Sequence, residues 1–307
     1  MTTEANTPNT KPLELKHFTL RGPGRTVYCC GALPSADAPE DRKKMVILIV
    51  HGFASSKEGP MAQKMLEYAA SRGYGAVAMD FPAHGPHKEE NGELSLSACK
   101  GNVMMLEEYI KRNLPGAAIC YFGSSFGAYI TLLRLLDIRK QAAIVEPDPE
   151  PTCAFLRSAA VNMPSLILRY DNFFTRLKLK KDGYLMSIGG PDTIRLTTRY
   201  FDDLKENDLP SLCRALIREK AEAMGVTDPA SMPSLQECLD TPIRMVHATT
   251  DKIIRPNFAR DFAEEFDIPL TWFEGEDHTL STFPETPDAV CDMAWDFFLR
   301  SSSRLAK

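Results

Sequence analysis

Short runs of apolar residues that never alternate with polar ones recur along the chain: MVILIV (45–50), GAVAMD (75–80), AAICYF (117–122), AAIVE (142–146), IRMVHA (243–248) and LTWFE (270–274). A strand that is apolar at every position has no face to offer water. It must be covered on both sides, as the strands of a parallel sheet are. Between the runs lie amphipathic helical patterns at 61–71, 97–112, 128–136, 257–266 and 288–299. Two earlier stretches, 13–20 and 26–32, alternate more strongly and predict an antiparallel edge pair. The fold class is therefore α/β, a mostly parallel sheet flanked by helices.

From 147 to 240 this rhythm stops. The segment opens with the proline-broken EPDPEP and continues with helical patterns at 155–170, 193–204 and 209–224. Within it, RLKLKKDGYLMSIGG predicts a hairpin turning at KKDG, with Arg176, Lys178, Lys180 and Lys181 as a solvated face that can also attract an anionic substrate. We expect an insertion, or cap, over the carboxyl edge of the sheet, where open α/β sheets bind ligands. Residues 1–146 and 241–307 then form the core and 147–240 the cap. The cap supplies Phe155, Tyr170, Phe173, Phe174, Tyr184, Tyr200 and Phe201. Most of these aromatics are expected in its own small core and a few along a cleft.

The 307 residues suffice for one large domain with such an elaboration. A net charge of −5 argues against a nucleic-acid partner, which would favour a basic face. Eight cysteines are scattered among apolar residues without a CxxC, which predicts buried reduced thiols. The start, MTTEANTPNTKP, is not a basic segment leading into an apolar one, and no apolar run reaches the ~18 residues of a membrane span. The expectation is a cytoplasmic protein that touches no membrane; a homo-oligomer stays possible.

One short stretch carries reactive chemistry. Gly123-Ser124-Ser125-Phe126-Gly127 follows a buried strand and precedes a helix. In that setting a serine is held in strained dihedrals with its hydroxyl turned out of the sheet, and small residues are needed two places to either side. The spacing centres on Ser125 and leaves Ser124 as the variable position; a helix N-cap is the competing role for a serine here. A serine hydroxyl needs a base and an acid that orients the base. Of the six histidines, His17 and His247 sit in strands, and His51, His84 and His87 lie in loops before the serine. His278 follows the last strand, and the chain order serine, acid, histidine selects it. Asp251, just after IRMVHA, is the preferred acid; Glu146 is its main competitor, and Glu276 and Asp277 adjoin the histidine too closely. Backbone N–H groups of Phe126 and Phe53 are the expected oxyanion donors, with His51 bracing the loop HGFASSKEG. His84-Gly85-Pro86-His87 lacks the carboxylate spacing of a metal site, so neither metal nor cofactor is called for.

With these residues in place, HGF, DFPAHG (80–85), GSSFG, TTDKIIRP and EDHTL resemble the stations of the α/β-hydrolase superfamily over the chain beyond its first residues. Within it, the chain is similar to the cinnamoyl and feruloyl esterase group. The resemblance implies a sheet of about eight strands, a cap of helices and a small hairpin, Ser125 as nucleophile, Asp251 as acid, His278 as base, and Phe53 with Phe126 as oxyanion donors. It implies a serine esterase acting on a small-molecule ester with a short or aromatic acyl group. A peptidase or amidase, a thioesterase or an acyltransferase would use the same acyl-enzyme chemistry. A non-catalytic binding protein on this scaffold would usually lack one of the three reacting side chains, and all three positions are filled.

Overall fold

The computed structural model describes residues 11–142, 151–168, 173–187 and 193–302. Its strands are β1 (Lys16–Gly22), β2 (Arg25–Ala32), β3 (Met45–Val50), β4 (Gly75–Met79), β5 (Ala118–Ser124), β6 (Pro151–Arg157), β7 (Tyr184–Met186), β8 (Arg195–Thr197), β9 (Ile243–Ala248) and β10 (Leu270–Phe273). Eight of them form one sheet in the order β1-β2-β4-β3-β5-β6-β9-β10. The β1–β2 and β2–β4 pairs are antiparallel and the rest parallel, so the alternating stretches do form the edge and the continuous apolar runs the interior. β3 shows why. Its residues are all buried, with Val46, Leu48 and Val50 in the core on one face and Met45, Ile47 and Ile49 in the core on the other. Each such aliphatic side chain contributes about 1.5–3 kcal/mol on leaving water.

The helices are α1 (Glu40–Lys43), α2 (Pro60–Ser71), α3 (Leu96–Asn113), α4 (Phe126–Ala142), α5 (Met163–Leu168), α6 (Phe173–Asp182), α7 (Thr198–Glu206), α8 (Leu209–Ala223), α9 (Leu235–Leu239), α10 (Pro256–Glu265) and α11 (Thr286–Ser302). α2 and α11 cover one face through Met65, Leu66, Val290 and Phe298; α3, α4 and α10 cover the other. Behind the β5–α4 turn, Arg134 of α4 grips the Glu107 carboxylate of α3 at 2.8 Å, and the Tyr121 hydroxyl of β5 donates to it at 2.6 Å. The set joins three elements to one buried carboxylate.

The middle of the chain departs from expectation. The strand expected at 142–146 is not the one beside β5: α4 continues to Ala142, residues 143–146 lie outside the described residues, and the sheet takes β6 at 151–157 instead. Residues 151–157 thus belong to the sheet, inside the segment assigned to the cap. Phe155 is a sheet residue stacked on Phe122 at 5.9 Å, not a cap aromatic. RLKLKKD is the helix α6 rather than a strand, and Arg176, Lys178, Lys180 and Lys181 lie on it. The hairpin partner of YLM is RLT, β7 pairing antiparallel with β8. The helix expected over 209–224 is α8.

Of the described parts of the insertion, β8, α7 and α8 pack on the α3–α4 face. Leu196, Tyr200, Leu204, Leu209 and Cys213 join the core that α3 and α4 line. The Tyr129 hydroxyl of α4 donates to the Asn207 carbonyl at 2.7 Å, and Asp203 of α7 accepts from the Leu96 N–H that opens α3. Tyr170 is outside the described residues. All eight cysteines are buried free thiols. Among the described residues no helix is long and apolar enough to cross a membrane.

Candidate active site

The carboxyl ends of β3, β5, β6, β9 and β10 converge on Ser125. β5 ends at Ser124 and α4 starts at Phe126, so a single residue makes the turn, and it does so with φ of 52°. A non-glycine residue in that region is strained, by about 1–3 kcal/mol, and is held there by its surroundings. The holding is visible. The Ser125 N–H donates to the Arg157 carbonyl at 2.8 Å, and its carbonyl accepts from the Ala160 N–H at 3.2 Å. Space fixes the neighbours. A Cβ on Gly127 would lie 2.1 Å from the Val50 carbonyl oxygen, and one on Gly123 would lie 2.9 Å from Ala128 Cα. The helix can start this close to β3 only where side chains are missing.

The structure brings Ser125, His278 and Asp251 into one line. His278 Nε2 is 3.0 Å from Ser125 Oγ, and His278 Nδ1 is 2.7 Å from Asp251 Oδ2. Asp251 is buried, and its other oxygen accepts the N–H groups of Ile253 and Ile254, each at 2.8 Å. With both oxygens engaged, the carboxylate cannot swing away from the imidazole. His247 lies beside it, fully buried, donating from Nε2 to the Ile254 carbonyl at 2.9 Å. Burial lowers its ionisation, so it packs there as a neutral ring. Glu146, the competing acid, is outside the described residues. Glu276 turns away from the imidazole to accept the N–H groups of Thr282 and Phe283 at 2.9 and 3.1 Å, and Asp277 accepts from Thr279.

The loop after β3 passes against the serine. A Cβ on Gly52 would lie 3.3 Å from Ser125 Cβ, which places the Gly52–Phe53 backbone beside the hydroxyl. The Phe53 ring meets those of Phe126 and His84 edge-on, at 5.8 and 5.5 Å. His51 holds this loop from below: Nε2 accepts the Phe81 N–H at 3.0 Å and Nδ1 donates to the Gly52 carbonyl at 2.7 Å. Burial drives its ionisation down to about 4, so it stays neutral and keeps both bonds through the physiological range.

Two further supports are not among the residues that the sequence reading singles out for the site. Lys57, in the same loop, is buried against the fully buried Asp80 after β4; its N–H and ammonium both donate to that carboxylate at 2.8 Å. Burial opposes the ammonium charge, and the bonds to Asp80 outweigh it, so Lys57 stays charged. On the opposite side, Arg157 and Ser158 at the end of β6 hold the His278 loop. The Arg157 guanidinium donates to the Thr279 carbonyl and reaches that of His278 at 3.5 Å, while the Ser158 hydroxyl donates to the His278 carbonyl at 2.9 Å. An arginine ending an apolar run marks Arg157 in retrospect, but the run was assigned to a helix and the mark was lost with it.

A sequence model of the Alpha/beta hydrolase family matches residues 47–293, and the chain belongs to that family. Solved structures agree on the fold. A putative hydrolase from Agrobacterium vitis superposes with a TM-score of 0.70 at 19% identity, covering 94% of this chain and 100% of that one. Est1E from Butyrivibrio proteoclasticus gives 0.66 at 15% identity, covering 95% and 99%. That protein has also been seen with ferulic acid bound, in a structure that superposes with a TM-score of 0.65 at 15% identity and covers 94% and 100%. The mouse alpha/beta hydrolase domain-containing protein 10 gives 0.59 at 13%, covering 91% and 96%. No protein with a curated description matches the sequence.

Proposed function

We propose that this hydrolase cleaves carboxylic esters through an acyl-enzyme on Ser125, with His278 as base and Asp251 as the acid that orients it. The observation that carries this is the unbroken relay of 3.0 and 2.7 Å from a serine held at φ of 52° to a buried carboxylate. His278 Nδ1–H donates to Asp251, which leaves Nε2 free to accept the serine proton as Oγ attacks the ester carbonyl. The N–H groups of Phe53 and Phe126 face the developing oxyanion. The imidazolium then gives its proton to the departing alcohol, and a water activated by the same ring releases the acid. No metal or cofactor takes part, and the partner is a small-molecule ester.

The preference for short or aromatic acyl groups rests on two supports: the structural neighbour Est1E, seen with ferulic acid bound, and the insertion. Apart from β6, residues 147–240 are proposed as the cap that sets this preference. The test is turnover of p-nitrophenyl esters of increasing chain length and of methyl ferulate by wild type and Ser125→Ala. We expect activity in wild type alone, strongest on short or aromatic acyl groups, and a fall of at least about 10³-fold in the variant. Equal turnover by both proteins contradicts the assignment of Ser125. Activity confined to anilides or thioesters moves the reaction to the related acyl transfers.

A further inference from the structure

One stretch of backbone, 157–160, touches both reacting residues. The Arg157 carbonyl and the Ala160 N–H hold the main chain of Ser125, and the Arg157 and Ser158 side chains hold the main chain of His278 and Thr279. The end of β6 therefore sets the distance between the serine and the base, though it supplies neither. Arg157 is a costly residue for such a post. It is 7% exposed, and its Nε finds no acceptor among the described residues. Burial pulls its ionisation down to about 10, against the attraction of Asp251, Asp277 and Glu276. A neutral side chain of similar size would fill the space without that cost.

We propose that Arg157 is a positioning residue of the serine–histidine pair. Its guanidinium tethers the His278 loop through the Thr279 and His278 carbonyls. This rests on the serine hydrolase reading above. Without Arg157 the ties between the His278 loop and the end of β6 fall to the Ser158 hydroxyl alone, and the imidazole is held less firmly at its distance from Ser125.

The experiment measures the maximal rate and the half-saturating concentration with which a fluorophosphonate labels Ser125 in wild type, Arg157→Gln and Arg157→Lys, with thermal melts alongside. For Arg157→Gln, well below its melting temperature, we expect a maximal rate at least about 10-fold lower at an unchanged half-saturating concentration. Arg157→Lys keeps a donor but lacks the planar guanidinium, and should recover only part of that rate. If Arg157→Gln does not fold, the lysine variant decides alone: a wild-type maximal rate overturns the tether. A merely structural arginine would lower the melting temperature and leave the maximal rate of the folded protein where it is. A wild type that takes no phosphonate overturns the serine hydrolase reading and this inference with it. A wild type that labels while both variants match it overturns the inference alone.

Discussion

The turn at Ser125 and the insertion after β6 are built on different principles, and two glycines show it. Gly127 is glycine for want of space, since a methyl group there would meet the Val50 and His51 carbonyl oxygens at 2.1 and 2.5 Å. Gly225, just past the last turn of α8, has φ of 69° and nothing within 4 Å of where its Cβ would be. It is glycine only for its backbone angle. Around the serine, position is fixed by close contact between strands and helices. In the insertion it is fixed by local helix signals and by how much apolar surface the α3–α4 face offers.

If that contrast holds, the largest effect comes from the loop beside the serine. Lys57→Met leaves the Asp80 carboxylate buried with one donor fewer and no counter-charge. Removing one partner of a buried pair costs about 3–5 kcal/mol, which urea denaturation would read directly. Ester turnover should fall further than stability alone explains, because this loop carries Phe53. A loss below 1 kcal/mol would mean that the pair is not what fixes the loop.

The two glycines come next and test the contrast by themselves. Gly127→Ala should destabilise by about 3 kcal/mol through overpacking against β3. Gly225→Ala, with free space and only the backbone angle to pay, should cost about 1 kcal/mol. Equal costs in thermal melts would remove the distinction.

The smallest effect is a matter of pH. Burial would raise the pKa of Glu276, but the Thr286 hydroxyl and the Phe283 and Thr282 N–H groups outweigh it and hold it below its ordinary value of 4.5. A carboxylate depressed in the folded state stabilises fully above that value and loses its contribution as pH falls through the folded one. Glu276→Gln should therefore narrow the gap in stability between pH 7 and pH 3 relative to wild type. Parallel acid profiles in the two proteins would show that the His278 loop does not depend on this charge.

Much of the core was legible because its constraints are local in sequence. A run such as MVILIV can only be a doubly covered strand, and Gly-x-Ser-x-Gly between strand and helix states its own geometry. Chain order points to His278 once the serine is placed; Asp251 is only the preferred acid beside Glu146, and it is the fold that sets Asp251 and His278 2.7 Å apart. The insertion was less so. AAIVE and TCAFL are both short apolar runs, and the choice between them turns on α4 running on through IRKQA to Ala142, which its own sequence does not announce. In RLKLKKD the leucines alternate like a strand, yet the segment is the helix α6, with Leu177 54% exposed and Leu179 half-buried. Lysine and leucine are good helix formers, and with so little burial to enforce the alternation propensity won. Lys57, Asp80 and Arg157 were invisible as supports because a charged residue reveals its partner only in three dimensions.

The account stands or falls on Ser125 as the nucleophile. The direct measurement is to trap the enzyme with a p-nitrophenyl phosphonate, then weigh the intact chain and map the modified peptide. We expect one adduct per chain, on Ser125, absent from both Ser125→Ala and His278→Ala. A label on Ser124, or an unlabelled Ser125 in a protein that still hydrolyses esters, would contradict it.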